Sequence, residues 1–567
     1  MWVRRVRRAL IAGLGVVLSQ TDAAADGPAE RFPTTTPIKY LVVLYPENSS
    51  FDRYFGVYPV ALNREEAPPF HARPDTPAVN GLTDTLLEHN PNQSNPFRIG
   101  RLDSFTCDAN HDYHDELLAR NQGLMNRYVE HGAEGPSAQE LDPATVALEK
   151  LVKAEEFCHR NAQGNYDTDL GHFDGNTVTA LWNYAQYFAI SDNFFATMAG
   201  QSTRGHLNLV VGDVYGVLCK PAGGNEAATY VGHGTLPFCN GPADSTATPP
   251  PSNGTIGTLV DDVDPYYDVC SQTGNTAALA GRNLGDLLTV AGITWGWFQG
   301  GFADCSITHP KVAYDLAKGI DPDTDPVRMA DYVPHHNPFQ YFQSTANPRH
   351  LPPTSVDMVG HSDQAMHQYD LALFWQVAER GALPAVSFLK PPNYQNGHPA
   401  QSEPLDEQVF IVESLNRLQQ LPQWRQMAVI VAWDDSDGWY DHVMPPIVNT
   451  SETPLDTGPG GERLCGDGTQ GPGARCAYGP RLPFLVISPF AKENFVSSAL
   501  ADQTSILRFI EDNWLGGQRI SESSFDNIAG SIAGMFDFSR RTKVRRLFLD
   551  PYTGLSLERA PRSEAAQ

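Results

Sequence analysis

The sequence YLVVLY at residues 40–45 is an uninterrupted apolar run, and the polar sequence PENSSFD follows it directly at residues 46–52. A second run, MAVIVAW at residues 427–433, is followed in the same way by DDSDGWYDH at residues 434–442. Strands that are buried on both faces of a parallel sheet read as continuous apolar runs, whereas half-exposed strands alternate. Both runs are therefore predicted to be strands of a parallel sheet, with polar residues at their carboxyl ends.

Further patterns along the chain extend this prediction. Two more apolar runs predict strands, PAVSFL at residues 384–389 and PFLVIS at residues 483–488. Apolar residues at helical spacing predict helices at residues 177–188, 405–418 and 503–514. Strands separated by helices predict an α/β fold with an open, mostly parallel sheet sandwiched by helices.

The domain organisation follows from composition and from the first residues. Arginines, an apolar run and then small residues predict a signal peptide at residues 1–25, which is too short in its apolar part to span a bilayer. We expect an exported protein, periplasmic or secreted, without stable membrane insertion. Residues 26–567 are predicted to form a single domain. Gly- and Pro-rich stretches near 221–272 and 449–479 are predicted to be surface insertions.

Charge and cysteine content restrict the possible classes. The 567-residue chain has 40 Lys plus Arg against 66 Asp plus Glu, a net charge of −26 that would repel nucleic acid, so no nucleic acid partner is expected. Eight cysteines in an exported protein predict disulfides, although unpaired buried thiols are an alternative. Cys465 and Cys476 are the favoured pair because the segment between them is rich in glycine. No C-x-x-C pair is present, so a thiolate zinc site is not expected.

The residues that follow the first two runs predict a cluster of oxygen donors. Ligands bind at the carboxyl ends of the strands in open α/β sheets. If the two strands are neighbours, Glu47, Asn48, Asp434 and Asp435 converge, and their like charges require a cation at neutral pH. An all-oxygen set favours Ca²⁺, Mg²⁺ or Mn²⁺ over zinc. The alternative, which spacing alone leaves equally open, is that the aspartates cap a helix or turn and that Asn48 is an ordinary surface residue.

Ser202 and several histidines are further candidates. Ser202 lies between two glycines in GQSTRG, residues 200–205, which would let the backbone approach a bound anion. A simple helix cap is the alternative, and the spacing of the glycines disfavours an esterase elbow, Gly-x-Ser-x-Gly. His111, His336 and His398 lie in loop-like segments, where functional residues concentrate, although a single loop histidine is more often plain surface.

An ordered series of motifs resembles the bacterial acid phosphatase and phospholipase C family of phosphoesterases. ENSSFDRYFG at residues 47–56 is similar to the family's opening motif, ENRSFDHYFG. The resemblance covers nearly the whole predicted mature chain and continues through CDANHDYHDE, DGNTVTALWNYAQYFAISDNFF, GQSTRGHLNLVVGD, DYVPHHNPFQYF, NGHPAQSEPLDEQ, WDDSDGWYDHVMPP, GPRLPFLVISPFAK and DQTSILRFIEDNW.

The resemblance implies a fold of the alkaline phosphatase and sulfatase type and a set of site residues. It implies that Ser202 is the nucleophile and that the histidines around the phosphoryl group are His111, His336 and His398. The metal ligands that it implies are Glu47, Asn48, Asp434 and Asp435. The serine loop is similar to that of the acid phosphatase branch, which implies phosphomonoester hydrolysis through a phosphoserine intermediate. The alternatives are a phospholipase C that cleaves phosphatidylcholine-type diesters, a metal-independent serine esterase and a non-catalytic metal-binding protein.

The chain departs from the family pattern at a few positions. Gln201 and Arg204 replace prolines of the serine loop, while Ser49 and Arg53 replace an arginine and a histidine of the opening motif. Arg204 is expected either to contact phosphate or to face solvent, and the two are equally favoured. A small phosphomonoester or phospholipid substrate is expected, whereas the oligomeric state and the natural substrate stay open.

Overall fold

The structure, a computed structural model, describes residues 27–65, 67–133, 158–221, 229–230, 257–259, 262–271, 275–311, 327–451, 454–466, 476–539 and 544–561. The predicted signal peptide lies outside the described residues. Within them, none of the helices combines the length and apolar character that crossing a bilayer requires.

An open sheet of eight strands forms the centre of the fold. Its strands in chain order are β1 (Tyr40–Leu44), β2 (Ala189–Ser191), β3 (Trp295–Gln299), β4 (Gln368–Asp370), β5 (Val386–Lys390), β6 (Met427–Ala432), β7 (Phe484–Ile487) and β8 (Phe495–Ser497). Their order across the sheet is β4-β3-β5-β1-β6-β7-β2-β8. β1 is parallel to both of its neighbours, and Leu44 lies opposite Leu389 and Val431. The predicted α/β fold class is confirmed.

The strand predicted from PFLVIS differs from expectation in its direction. β7 is antiparallel to β6 on one side and to β2 on the other, whereas the other pairs in the sheet are parallel. All four of its residues are buried. A strand buried on both faces is a continuous apolar run whichever way it points, so the sequence pattern predicts the strand but not its direction.

Helices flank the sheet. They are α1 (Phe51–Phe55), α2 (Asp84–Glu88), α3 (Tyr113–Arg120), α4 (Tyr128–His131), α5 (Thr179–Tyr187), α6 (Ser202–Val210), α7 (Leu284–Val290), α8 (Leu371–Glu379), α9 (Pro404–Leu418) and α10 (Gln503–Trp514). Three of them, α5, α9 and α10, are the helices predicted from apolar spacing. Two of these begin at capping boxes, formed by Glu403 with Asp406 and by Asp502 with Ser505. Such reciprocal bonds satisfy backbone amides that have no partner within the first turn.

Shorter elements complete the described fold. The 3-10 helices are Pro28–Arg31, Arg101–Asp103, Asn121–Gly123, Thr168–Leu170, Pro334–His336, Pro338–Tyr341, Val356–Met358, Asn393–Gln395, Pro422–Gln426, Pro454–Asp456, Phe525–Asn527 and Ile532–Met535. The strands of the small sheets are Phe97–Arg98, Gly171–His172, Phe194–Phe195, Tyr215–Pro221, Thr229–Tyr230, Gly257–Thr258, Asn275–Leu279, Thr308–Pro310, Arg328–Ala330 and Ala501–Asp502.

Disulfides join three pairs of cysteines in the described part of the chain. The predicted pair Cys465–Cys476 is confirmed, and the other two are Cys107–Cys158 and Cys270–Cys305. Both members of the predicted pair are fully buried. Within the predicted insertion near 449–479, the described cysteines Cys465 and Cys476 belong to the hydrophobic core.

Candidate active site

The polar residues that follow β1 and β6 meet at the carboxyl edge of the sheet. The backbone amide of Asn48 donates a hydrogen bond to Asp434 Oδ1 over 3.0 Å, and the amide of Ser49 donates to the carbonyl of Asp435 over 3.0 Å. Glu47, Asn48 and both aspartates are at most 2% exposed. The structure thus brings together the four residues that the two strand ends were predicted to bring together, and the interpretation of Asn48 as a surface residue is wrong.

Ser202 is the first residue of α6, and its hydroxyl points at this cluster. Ser202 Oγ lies 2.9 Å from Asp435 Oδ2, 3.3 Å from Asn48 Oδ1 and 3.4 Å from Glu47 Oε2. A serine hydroxyl has one proton and cannot donate it to three acceptors at once. Oxygen acceptors gathered around one hydroxyl oxygen are typical of a hard cation's ligands, since a divalent ion can contact all of them together.

Gly205 allows α6 to approach the end of β6 so closely. A Cβ atom at this position would lie 2.1 Å from the carbonyl oxygen of Asp434. That separation is far below van der Waals contact, and the obstructing atom belongs to the backbone, which cannot rotate away. The absence of a side chain at Gly205 therefore helps to place Ser202 beside the aspartates.

Asp262 holds the start of α6. The backbone amide of Thr203 donates to Asp262 Oδ1 over 2.8 Å, and the amide of Asp262 donates to Gln201 Oε1 over 2.8 Å. The carboxylate thus accepts a hydrogen bond from an amide at the helix N-terminus that would otherwise be open to an anion. Asp262 belongs to the segment near 221–272, and this part of the predicted surface insertion contacts the candidate nucleophile's helix.

The orientation of the Asn48 side chain is set by Asp437, a residue that the sequence analysis did not single out. Asn48 Nδ2 donates to Asp437 Oδ1 over 2.7 Å, so the amide oxygen faces Ser202. The other oxygen of Asp437 accepts from Trp439 Nε1 over 2.8 Å. Asn48 has a φ of 56°, in the left-handed region that asparagine tolerates better than most residues.

Nitrogen donors surround the second oxygen of Glu47. Lys390 Nζ contacts Glu47 Oε1, and His336 Nδ1 and His206 Nε2 lie 3.2 Å and 3.7 Å from the same oxygen. Burial lowers the pKa of Lys390 to about 7 and lowers the pKa of both histidines. Glu47 therefore presents one oxygen to Ser202 and the other to these nitrogens. Glu47, His206 and His336 also lie close enough together to hold a metal ion.

His206 and Lys390 were missed, although each carries a signal in the sequence. His206 follows Ser202 by four residues, a spacing that puts both on one side of a helix. Lys390 is the last residue of β5, at the strand end where ligands bind in such sheets. A polar residue directly after an apolar run was recognised at two strands but not at this one.

His111 and His398 lie near the same group of carboxylates. His111 Nδ1 is 3.6 Å from Asp437 Oδ1, and, although burial opposes it, Asp435 and Asp437 raise the pKa of His111 well above its ordinary value. Burial lowers the pKa of His398, which forms a compact group with Asp437 and Asp108. Like His336, both histidines are buried, so none of the three predicted histidines is plain surface.

Arg204 is buried, so the expectation that it could face solvent is wrong. It is 1% exposed, and its guanidinium lies 5.0 Å from the centre of the Tyr113 ring. Arg53, another departure from the family pattern, is also buried: it donates to the carbonyl of Asn48 over 3.0 Å and stacks on Trp439. Arg53 thus bonds to the loop that follows β1, whereas Arg204 packs against α3.

The chain is similar to known proteins over most of its length. A model of the Phosphoesterase family matches residues 38–515. The chain is 28% identical over 510 residues to a non-hemolytic phospholipase C of Burkholderia pseudomallei, a match that covers 86% of this chain and 57% of that protein. It is 32% identical over 161 residues to phospholipase C A of Mycobacterium tuberculosis, covering 28% of this chain and 30% of that protein. The chain thus spans about half the length of the first of these relatives.

Proposed function

The chain belongs to the phosphoesterase family, and we propose that it is a phosphoric ester hydrolase in which Ser202 is the nucleophile. The observation that carries the proposal is the set of three oxygen acceptors around Ser202 Oγ, from Glu47, Asn48 and Asp435. A buried hydroxyl in such surroundings is suited to attack phosphorus once a cation offsets the negative charge, because charge neutralisation and alignment dominate phosphoryl transfer.

The residues present fit a hard divalent cation. Glu47, Asn48, Asp434 and Asp435 offer only oxygen atoms, and Asp434 Oδ2 is buried without a hydrogen-bond partner. These are donors that Mg²⁺, Ca²⁺ and Mn²⁺ prefer, and we propose these four residues as ligands of one such ion. A bound cation would offset the carboxylate charge and polarise a phosphoryl oxygen.

The reaction proposed for the chain's own residues has two steps. Ser202 Oγ attacks the phosphorus in line, so that the Oγ–P bond forms while the bond to the leaving oxygen breaks. The hydroxyl proton passes to Asp435 Oδ2, the nearest acceptor at 2.9 Å. One of His111, His336 and His398 protonates the leaving oxygen. Water then attacks phosphoserine: its oxygen bonds to phosphorus and its proton restores the histidine. The Oγ–P bond breaks, and the proton held by Asp435 returns to Ser202 Oγ as phosphate leaves.

Phosphomonoesters are the proposed substrate class, which makes the protein an acid phosphatase. The support is the similarity of the serine loop to the acid phosphatase branch. A phospholipase C activity on phosphatidylcholine-type diesters is the second candidate, favoured because both of the relatives named above are phospholipases C. A serine esterase is disfavoured because, among the described residues, no histidine nitrogen bonds to Ser202 Oγ. His206, the histidine of α6, bonds instead to the carbonyl of Ser202.

Parallel assays test the proposal. The metal-loaded protein is assayed with p-nitrophenyl phosphate, phosphatidylcholine micelles and p-nitrophenyl acetate, and acid-quenched samples are searched by mass spectrometry for a phosphorylated peptide. We expect turnover of the phosphomonoester and a phosphoryl group on Ser202. Faster cleavage of phosphatidylcholine would favour the phospholipase candidate, and hydrolysis of the acetate ester alone would contradict the proposal.

Export is proposed as well. Disulfides form and persist in oxidising compartments, and the described part of the chain contains three. They support the periplasmic or secreted location that the first residues predict. Fractionation of cells that express the full chain would test it, with activity in the cytoplasm contradicting export.

A further inference from the structure

A buried carboxylate lies between the two loops that carry the candidate nucleophile and the aspartates. Glu116 on α3 accepts a hydrogen bond from the Gly200 amide at Oε2 over 2.5 Å and another from Ser436 Oγ at Oε1 over 2.6 Å. Glu116 is only 6% exposed. Gly200 precedes Ser202 by two residues, and Ser436 directly follows Asp435. One side chain therefore bonds to both loops.

The serine loop needs an anchor of this kind. Gly200 has a φ of 103°, a backbone conformation that only glycine adopts readily and that glycine does not itself hold. A hydrogen bond from its amide to a charged acceptor is stronger than one to a neutral group. Glu116 thus fixes the point at which the chain turns toward Ser202.

The loop after β6 is anchored by the same carboxylate. Ser436 lies in the segment where Asp435 Oδ1 accepts from the amide of Asp437 over 2.7 Å, which leaves Asp435 Oδ2 directed at Ser202. The Ser436 hydroxyl ties this turn to Glu116. The distance between the Ser202 hydroxyl and Asp435 therefore depends on the relative position of two loops, and Glu116 bonds to both of them.

We propose that Glu116 is a positioning residue that sets the distance between Ser202 Oγ and the Asp435 carboxylate. Its effect on catalysis rests on the proposed function, whereas its effect on the geometry of the site does not. A buried carboxylate that served only to fill space would be worse than an apolar side chain, since burial of charge is costly unless it is hydrogen-bonded. Both oxygens of Glu116 are used to join the loops of the site.

The test compares Glu116→Gln and Glu116→Ala with a matched control, Glu130→Gln, on α4 outside the site. For Glu116→Ala we expect kcat to fall about 100-fold, because a misplacement of about 1 Å can cost that much. KM for p-nitrophenyl phosphate should change less than about threefold, since Glu116 does not touch the substrate. Glu116→Gln keeps the shape and one acceptor oxygen, so its loss should be intermediate. A kcat for Glu116→Ala within about twofold of wild type would overturn the proposal.

A second variant and a structural readout keep the inference separable from the proposed function. If Glu116→Ala does not fold, Ser436→Ala removes one of the two bonds with little change in volume. Combined with Glu116→Gln it should cost less than the product of the two separate losses, because the residues share one interaction. A loss in the double variant equal to the product of the two separate losses would argue against a shared role of Glu116 and Ser436.

If the wild-type protein hydrolyses none of the esters, the proposed function fails but the inference is still decided. Crystal structures of wild type and Glu116→Gln with Mg²⁺ then compare the Ser202 Oγ–Asp435 distance directly. A longer distance in the variant is expected, and an unchanged one, within about 0.3 Å, would overturn the proposal.

Discussion

Asn48 Nδ2 lies 2.7 Å from Asp437 Oδ1, and this hydrogen bond determines which end of the Asn48 amide faces Ser202. A carboxylate can only accept, so the nitrogen must face Asp437 and the oxygen must face the serine. Asp437 thereby contributes to the proposed cation site without being one of its ligands. Residues that orient metal ligands in this way affect metal affinity strongly.

Replacement of Asp437 tests this orientation. In Asp437→Asn the new side chain can donate or accept, so both orientations of the Asn48 amide become possible. We expect affinity for Mg²⁺, measured by isothermal titration calorimetry, to fall about 10- to 100-fold. Asp304→Asn, at an exposed turn, is the control. Unchanged affinity in Asp437→Asn would remove Asp437 from this role.

Replacement of Ser202 tests the nucleophile. Ser202→Ala removes the attacking oxygen, and we expect kcat to fall by at least about a thousandfold in the p-nitrophenyl phosphate assay. The thermal unfolding midpoint should stay close to that of wild type, because the hydroxyl is surrounded by acceptors rather than by apolar contacts. Ser344→Ala, at an exposed serine, is the control for effects of a serine-to-alanine change outside the site. Activity within about tenfold of wild type would exclude Ser202 as nucleophile.

Removal of divalent ions tests the cation site. Exhaustive chelation should abolish turnover, because the buried carboxylates of Glu47, Asp434 and Asp435 would then repel an anionic substrate. Addition of Mg²⁺, Ca²⁺ or Mn²⁺ should restore it, and circular dichroism before and after shows whether the fold survives. Retained turnover in a sample shown by elemental analysis to be metal-free would contradict the proposed site.

Gly205 tests the packing of α6 against the end of β6. Gly205→Ala places a Cβ 2.1 Å from the Asp434 carbonyl and must displace the helix or the strand end. We expect a loss of about 1–3 kcal/mol in the free energy of unfolding together with a large loss of kcat. Gly534→Ala is the matched control, since a Cβ there meets nothing within 4 Å. Equal stability and activity of the two variants would contradict this account.

His172 predicts how stability depends on pH. Burial lowers its pKa to about 4 in the folded chain, against about 6.5 when unfolded. Because the lowered pKa belongs to the folded state, the contribution of His172 to the free energy of unfolding is fully present above pH 6.5. That contribution is lost as pH falls toward 4, at up to about 1.4 kcal/mol per pH unit. Urea unfolding is measured at several pH values. The free energy of unfolding should fall less between pH 6.5 and pH 4 for His172→Gln than for His71→Gln, a control at an exposed site. Identical slopes would contradict the prediction.

The strands that flank the site were predictable because each leaves a local pattern. YLVVLY and MAVIVAW are continuous apolar runs, which predict strands. That these two strands are neighbours was a condition of the predicted cluster, and the structure shows that they pair. By contrast, β3 reads WGWFQ, in which a glycine and a glutamine interrupt the apolar pattern. β2, β4 and β8 are only three residues long, which is too short for any periodicity.

Strand patterns predicted the inner part of the site only where it adjoins such a run, whereas Ser202 and the three histidines rested on loop motifs and on the family resemblance. Glu47 and Asp434 lie just after predicted strands, so their convergence could be expected if those strands were neighbours. Glu116 could not be found in this way, because its partners Gly200 and Ser436 are 84 and 320 residues away in the chain. Contacts over such separations depend on the packing of loops, which leaves no local pattern in the sequence.

The hydrogen bond between the Asn48 amide and Asp434 spans 386 positions of the chain. During synthesis, a nascent polypeptide that has grown as far as Ser202 carries the hydroxyl of the proposed nucleophile but lacks both aspartates. The proposed site is complete only after residue 435 has been synthesised and β6 has paired with β1. A partly synthesised chain therefore cannot assemble the cluster of Glu47, Asp434 and Asp435 around Ser202.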